Sequence, residues 1–242
     1  MQNRWVGDVG DFGKYGLLTR LCSEDELGPG YGLGVVWYLV SEKGVDYLSA
    51  GKGRFDACDH DLFAKLRSIV EARSVAAIER SGVLPLSTVF FGDLLNRVRR
   101  EDWLTRAIDT VKDCQVVFLD PDTGLKDSIP DARRSVQHAY LDEVLEFANQ
   151  RADRTVVVYH HLGREKHEAQ IDGWLDVFRR DFYPRTPFAV RYQAYSPRSY
   201  FVIPSRSHEK LLKDRVTSLI SGEWGERGLF QSRVFGTEEA IR

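Results

Sequence analysis

The residues best suited to chemistry are aspartates that stand two or three positions apart in two glycine-bearing stretches. Asp8 and Asp11 lie in VGDVGDFGKYGLL, ahead of Lys14, and Asp120 and Asp122 lie in LDPDTGL. Paired carboxylates can share a divalent cation, or they can divide the roles of general acid and general base. A glycine-rich loop that enters a helix can instead present backbone N–H groups to an anion, with a lysine adding positive charge. Both stretches therefore predict a functional site.

Each stretch also has a structural interpretation. Asp11 could cap a helix that starts near Asp11 or Gly13, with the glycines letting the loop pass close to a sheet. Residues 121–124 are all turn formers. An aspartate at the end of a buried strand is costly without a partner, which favours a functional Asp120. The spacing of a P-loop is absent, which argues against nucleotide hydrolysis of that type.

The elements that must position these residues alternate between strands and helices. Apolar runs predict strands over 33–40, 74–79, 88–93, 114–120 and 154–161, and helical spacing predicts helices over 59–73, 100–111, 135–150 and 165–182. The segments 188–195 and 198–205 are separated by a short break, which is typical of an antiparallel pair. Alternating strands and helices require crossover connections, which favour a mostly parallel sheet that is covered on both faces.

The predicted fold is therefore α/β, a Rossmann-like doubly wound, mostly parallel sheet with an antiparallel C-terminal strand pair. We expect a single domain over residues 1–242, since the chain has no repeat, low-complexity tract or convincing linker. It would carry an N-terminal glycine-rich loop and helix at 6–24 and a candidate mobile insertion at 41–58.

Polar side chains follow the predicted strands at the edge where ligands bind in open parallel sheets. They are Ser41, Glu42, Glu79, Asp93, Asp120, Asp122, His160 and His161. Adjacent residues of a strand point to opposite faces, so only one of the two histidines can enter a given pocket. We take Asp120, Asp122 and His160 as the candidate catalytic residues.

In order and position, residues 33–205 resemble the class I S-adenosylmethionine-dependent methyltransferases. The resemblance rests on AAIERS, FFGDLL and FLDPDTGL. It implies that Glu79 holds the ribose of the cofactor and that Asp93 contacts its adenine. Asp120 and Pro121 match the first two positions of the Asp-Pro-Pro-Tyr motif of enzymes that methylate exocyclic amines. The implied cofactor is S-adenosylmethionine.

The opening GDFGKYGLL is also similar to the N-terminal segment of bacterial ribosomal RNA adenine methyltransferases, which leads from a glycine- and acid- or amide-bearing loop into a lysine-bearing helix. The resemblance implies that Asp8, Asp11 and Lys14 lie at the cofactor pocket. It also implies RNA or DNA as substrate.

Two features depart from the methyltransferase pattern. After the first strand the chain runs into SEKGVDYLSAGKG, where Gly44, Gly51 and Gly53 do not have the spacing of a cofactor-binding turn. Thr123 stands where the motif has an aromatic ring that stacks a flipped base.

Two alternatives therefore stay open. The first is a metal-dependent nuclease or phosphohydrolase in which Asp8, Asp11, Asp120 and Asp122 hold Mg²⁺ or Mn²⁺ and His160 or His161 is the acid or base. The second is a catalytically inactive binding module on a methyltransferase scaffold.

Composition limits the partners and the compartment. With 43% hydrophobic and 29% charged residues and a net charge of -2, the chain is an ordinary globular protein without a global attraction for nucleic acid or membranes. RNA or DNA would have to bind the local basic stretches 96–100 and 205–215. The three scattered cysteines, the lack of a signal peptide pattern and the lack of a membrane-spanning apolar run favour a cytoplasmic protein.

Overall fold

The computed structural model describes residues 6–40, 55–70, 74–130 and 133–233. The strands are β1 Leu33–Trp37, β2 Val89–Phe91, β3 Val116–Asp120, β4 Gly124–Lys126, β5 His138–Tyr140, β6 Thr155–His161, β7 Phe188–Tyr192, β8 Arg198–Ile203 and β9 Phe230–Arg233. The helices are α1 Val9–Cys22, α2 His60–Val70, α3 Val75–Ser81, α4 Arg100–Thr110, α5 Leu141–Asn149, α6 His167–Asp181, α7 Glu209–Ser221 and α8 Glu223–Glu226, with a 3₁₀ helix at Arg97–Arg99.

Seven strands form the central sheet in the order β2-β1-β3-β6-β8-β7-β9, and β4 pairs separately with β5. The first four strands in that order run parallel. Strand β8 is antiparallel to β6 and β7, and β9 is antiparallel to β7. The predicted α/β class, the mostly parallel sheet and the C-terminal antiparallel pair are confirmed, whereas β9 was not predicted.

Helices pack on both faces of this sheet because alternate strand residues are apolar on both sides. On one face, Phe118 and Val157 share a core with residues of α1, α2 and α7. On the other face, Leu119 and Val158 share a core with residues of α4, α5 and α6. The two-residue period of a strand separates these cores, and it also decides on which face each polar side chain at the strand ends lies.

Helix α1 is buried on nearly all sides, with only Thr19 and Arg20 partly exposed. The sheet lies against one side, while Phe12 stacks on Trp224 of α8 at 4.7 Å between ring centroids and contacts Phe55 at 5.5 Å. Gly13 permits the close approach, because a Cβ there would lie 2.6 Å from a ring carbon of Tyr192. The glycines that weaken α1 as an isolated helix therefore let it fit into the core.

Three predictions about elements are wrong. Segment 74–79 is not a strand, because Val75 and Ile78 bury one face of helix α3, which ends at Gly82 with a φ of 65°. The predicted helix over 135–150 begins only at Leu141, since residues 138–140 pair with β4. Helix α1 begins at Val9, ahead of both predicted starts.

The candidate insertion at 41–58 lies outside the described residues over 41–54, as do Ser41, Glu42, Gly44, Gly51 and Gly53. From Phe55 onward the chain is packed, since that ring is fully buried. Within the described part of the chain, no helix has the length and apolar character needed to cross a membrane.

We expect Gly13→Ala to lower the free energy of unfolding by about 1–3 kcal/mol, because the added methyl group meets the Tyr192 ring. The matched control is Gly173→Ala in α6, where no atom lies within 4 Å of an added Cβ. That change should raise stability by about 0.5–1 kcal/mol through helix propensity. Urea unfolding of both variants tests the packing of α1, and a stabilising Gly13→Ala would contradict it.

Candidate functional site

A pocket of about 490 Å³ opens at the carboxyl ends of β3 and β6, where β8 begins and α1 starts. Its lining is Asp8, Val9, Asp11, Lys14, Asp120, Pro121, Asp122, Thr123, Tyr159, His161, Tyr195, Ser196 and Arg198. The volume is within the usual range for small-molecule sites. Both stretches singled out in the sequence, residues 6–18 and 119–125, contribute side chains to it.

Strand register explains why these side chains meet. Asp120 follows Phe118 by two residues and therefore faces α1. Tyr159 and His161 lie on the same face, and in the β6–β8 ladder His161 is opposite Arg198. Arg198 is also opposite Tyr192 of β7. An antiparallel strand starts at the edge where its parallel neighbour ends, so Arg198 joins residues at the carboxyl edge.

The N-terminus of α1 is capped by Asp8, whose Oδ1 accepts the backbone N–H groups of Gly10 at 2.7 Å and Asp11 at 2.9 Å. The prediction that Asp11 is the cap is therefore wrong. Asp11 lies inside the first turn, where its Oδ2 accepts the Gly7 N–H at 2.8 Å. Because Asp8 accepts the backbone N–H groups that the start of a helix leaves without a partner, the Asp11 carboxylate is not needed as a cap and can bind another side chain.

That partner is Lys14, which bridges two aspartates. Its Nζ donates to Asp11 Oδ1 and to Asp120 Oδ2, both at 2.9 Å, and all three side chains are buried. Burial alone would lower the pKa of Lys14, but the charges of Asp11 and Asp120 and their hydrogen bonds raise it above its ordinary value. Lys14 is therefore a permanent cation that fastens α1 to the end of β3.

Asp8 is the acid whose proton affinity the pocket changes most clearly. Burial and the nearby charge of Asp11 raise its pKa from 3.8 to about 6, although Arg198 and the backbone hydrogen bond act in the opposite direction. Asp8 can therefore gain or lose a proton close to neutral pH, as a general acid or base must.

The two adjacent histidines have different positions. His160 lies on the face away from the pocket, next to Trp174 and Phe201, and its Nδ1 accepts the Leu125 N–H at 3.0 Å. Burial lowers the pKa of His160 to about 4, with His161 and His138 contributing. The structure thus places the predicted catalytic histidine among aromatic side chains, where its hydrogen bond links β4 to β6.

His161 lines the pocket instead. Burial and Arg198 lower the pKa of its ring, so it is neutral at pH 7. Its Nδ1 lies 3.3 Å from the Ser196 hydroxyl.

The two acids that the resemblance assigns to the cofactor do not line the pocket. Glu79 is on α3, where its Oε1 accepts the indole N–H of Trp37 at 3.1 Å. Trp37 ends β1, so Glu79 still lies at the carboxyl edge of the sheet. Asp93 follows β2, and its Oδ2 accepts the Arg106 Nε–H at 3.1 Å in an exposed ion pair.

Sequence reasoning did not identify Arg198, Tyr159 and Tyr195, which the structure places in the pocket wall. A signal for Arg198 was present. It is the first residue of a strand predicted to run against its neighbour, which places it at the carboxyl edge.

A metal shared by Asp11 and Asp120 would have to replace the Lys14 ammonium, which already contacts both. Across residues 6–40, 55–70, 74–130 and 133–233, no group of three or more His, Cys, Asp or Glu side chains has a metal-binding arrangement. The four-aspartate site therefore does not fit a divalent cation in this conformation.

No protein-family model matches the chain, and no curated protein is significantly similar to it.

We expect Lys14→Met to cost about 3–5 kcal/mol of unfolding free energy, because it leaves two buried carboxylates without their cation. The same substitution at Lys210, which pairs with Asp214 on the exposed face of α7, should cost less than about 0.5 kcal/mol. Adding Asp120→Asn to Lys14→Met should recover part of the loss. Chemical denaturation measures all three variants, and equal costs at Lys14 and Lys210 would contradict the bridge.

We expect Asp8→Asn to stabilise the protein at pH 8 by about 1–3 kcal/mol, since asparagine caps equally well and the raised pKa makes the charged form costly. The folded-state pKa lies above the unfolded value, so this gain grows as pH rises from about 4 to 6 and is absent below. Thermal melts between pH 4 and 8 measure it, with exposed Asp113→Asn as the general carboxylate control. A gain that increases toward low pH would contradict the assignment.

Proposed function

We propose that the chain is an S-adenosylmethionine-dependent methyltransferase of class I type, with the Rossmann-like single domain of that class, and that it methylates an amine, such as one on a nucleobase. The observation that carries this proposal is the position of Asp120–Thr123 at the carboxyl end of β3, in the wall of the pocket. The resemblance assigns catalysis to that segment, and open parallel sheets bind their ligands at that edge.

The charges of the pocket support a ligand that carries positive charge. Its wall holds four carboxylates, on Asp8, Asp11, Asp120 and Asp122, against the two cations Lys14 and Arg198. Burial, followed by the charge of Asp11, raises the pKa of Asp8. A sulfonium or ammonium group would relieve the repulsion, whereas a bare phosphate would increase it. The charge of the pocket therefore suits the sulfonium group of S-adenosylmethionine.

Each residue has a role in this proposal. When bound, S-adenosylmethionine supplies an electrophilic methyl group. Asp120 accepts an N–H of the nucleophile, and the Lys14 ammonium fixes its position through the hydrogen bond to Oδ2. Asp120 also takes the proton that the nitrogen releases, and Asp122 in the same wall of the pocket assists. Catalysis is then mainly the positioning of the two reactants.

The basic stretches give unequal support to a nucleic-acid substrate. In 205–215, Lys210 and Lys213 form ion pairs with Asp214 and Glu209, and Arg215 is buried. Arg97 and Arg99 are exposed beside Val98, which is 91% exposed. We therefore place the RNA or DNA contact at 96–99, since Arg100 is buried against Glu143. The absence of disulfides among the three cysteines is consistent with the cytoplasmic location that we propose.

Ligand-dependent thermal melting tests the proposal. At a hundredfold excess over its dissociation constant, S-adenosylhomocysteine should add about 2.7 kcal/mol, which is roughly 5–10 °C for a chain of this length. Stabilisation by Mg²⁺ or Mn²⁺ alone would support the hydrolase alternative, and stabilisation by neither would support the inactive binding module.

We expect Asp120→Asn to retain S-adenosylhomocysteine binding and to lose methyl transfer into total RNA or DNA by at least about a hundredfold. The amide still accepts a hydrogen bond from Lys14, so the variant should fold. Exposed Asp113→Asn is the matched control. Transfer of a labelled methyl group measures the effect, and full activity in Asp120→Asn would contradict the catalytic assignment.

A further inference from the structure

Arg198 is a buried cation with unused hydrogen-bonding capacity. Its side chain lies in the pocket wall and the residue is 8% exposed. Its Nε donates to the Ser196 carbonyl at 3.0 Å, while its two terminal nitrogens donate to no residue in the described part of the chain. Burial of a guanidinium without a bidentate acceptor is costly, so this arrangement favours the binding of a ligand that carries an anionic group.

The surroundings of Arg198 form a shaped cradle. A Cβ on Gly10 would lie 1.5 Å from Arg198 Nη1, so the first turn of α1 admits the guanidinium only because residue 10 is glycine. On the sheet side, the fully buried hydroxyls of Tyr192 and Tyr200 have no hydrogen-bond partner among the described residues. The Arg198 Cζ is 5.9 Å from the Tyr192 ring centroid.

Asp8 lies near Arg198, but the two do not form an ion pair. A Cβ built on Gly10 would lie 1.5 Å from Arg198 Nη1 and 2.9 Å from Asp8 Oδ1, so the two charged groups flank the same point of the pocket. Asp8 uses Oδ1 to cap α1, and Oδ2 makes no hydrogen bond to another described residue. A cation and an anion that are held apart in one pocket match a ligand that carries an ammonium and a carboxylate group on the same carbon atom.

We propose that Arg198 and Asp8 form a subsite for a zwitterionic α-amino-acid group, in which Arg198 binds the carboxylate and Asp8 binds the ammonium. The ligand is a free amino acid or the amino-acid end of a larger molecule. This goes beyond methyl transfer, because any ligand with that group satisfies both residues. A lone phosphate fits less well, since it pairs with Arg198 but is repelled by the acids of the pocket.

Calorimetric titration of the full chain tests the subsite with S-adenosylhomocysteine, its decarboxylated analogue, 5′-methylthioadenosine, L-methionine and inorganic phosphate. We expect S-adenosylhomocysteine to bind about ten- to a hundredfold more tightly than the decarboxylated analogue. Arg198→Gln should abolish this preference, while Arg198→Lys should keep part of it. Arg206→Gln, at an exposed position past the other end of β8, is the matched control and should keep all of it.

Gly10→Ala gives a second variant, because it keeps both charged residues and displaces the guanidinium, whose Nη1 would lie 1.5 Å from the added Cβ, and to a smaller extent the Asp8 carboxylate, whose Oδ1 would lie 2.9 Å from it. It should lose the preference to the same extent as Arg198→Gln, and the double variant should be no worse than either single one. A preference that survives Arg198→Gln, or phosphate binding that equals amino-acid binding, would overturn the inference.

The outcomes separate this inference from the proposed function. If L-methionine binds in an Arg198-dependent way while no nucleoside probe binds, the subsite stands and the methyltransferase proposal fails. If S-adenosylhomocysteine binds with equal affinity to the protein and to Arg198→Gln, the proposed function stands and the subsite is wrong. If no amino-acid-bearing probe binds, the subsite is also wrong.

Discussion

The bridge that Lys14 forms between Asp11 and Asp120 is the interaction on which the site depends. Three charges have left water at the point where α1 meets the end of β3. Desolvation of each ion costs several kcal/mol, so the arrangement is tolerable only because both carboxylates share one ammonium at hydrogen-bond distance. Removing the lysine would leave two buried carboxylates without their shared ammonium, and this requirement holds α1 in one position over the sheet.

The position of α1 then determines the shape of the pocket. A helix that carries side chains on every face could not lie so close to the tyrosines of β7 and β8. Gly10 and Gly13 provide the space, for the guanidinium of Arg198 and the ring of Tyr192 respectively. The glycines lower the intrinsic stability of α1, and burial of Phe12, Tyr15 and their apolar neighbours compensates for it. Packing, rather than propensity, keeps this segment helical.

The electrostatics of the pocket follow from the same packing. The bridge is an acid-rich triad, so the neighbouring Asp8 experiences negative charge and low polarity together, and its pKa rises. Arg198 opposes this effect without contacting Asp8. The pocket therefore contains two cations, Lys14 and Arg198, together with Asp8, which titrates near neutral pH, and the neutral ring of His161. This combination suits binding and proton transfer.

The sequence by itself determined the α/β class, the mostly parallel sheet and the acids at its carboxyl edge, because strand and helix periods and the direction of parallel strands are local properties. It misassigned 74–79, where a seven-residue helix that begins with the apolar run VAAI resembles a short strand. Only the tertiary structure decided that His161 rather than His160 faces the pocket, since a shift of one residue along a strand moves a side chain to the opposite face of the sheet. It also decided that Lys14 takes the place between Asp11 and Asp120 and that Arg198 joins them, because these contacts connect segments more than a hundred residues apart that no local pattern relates.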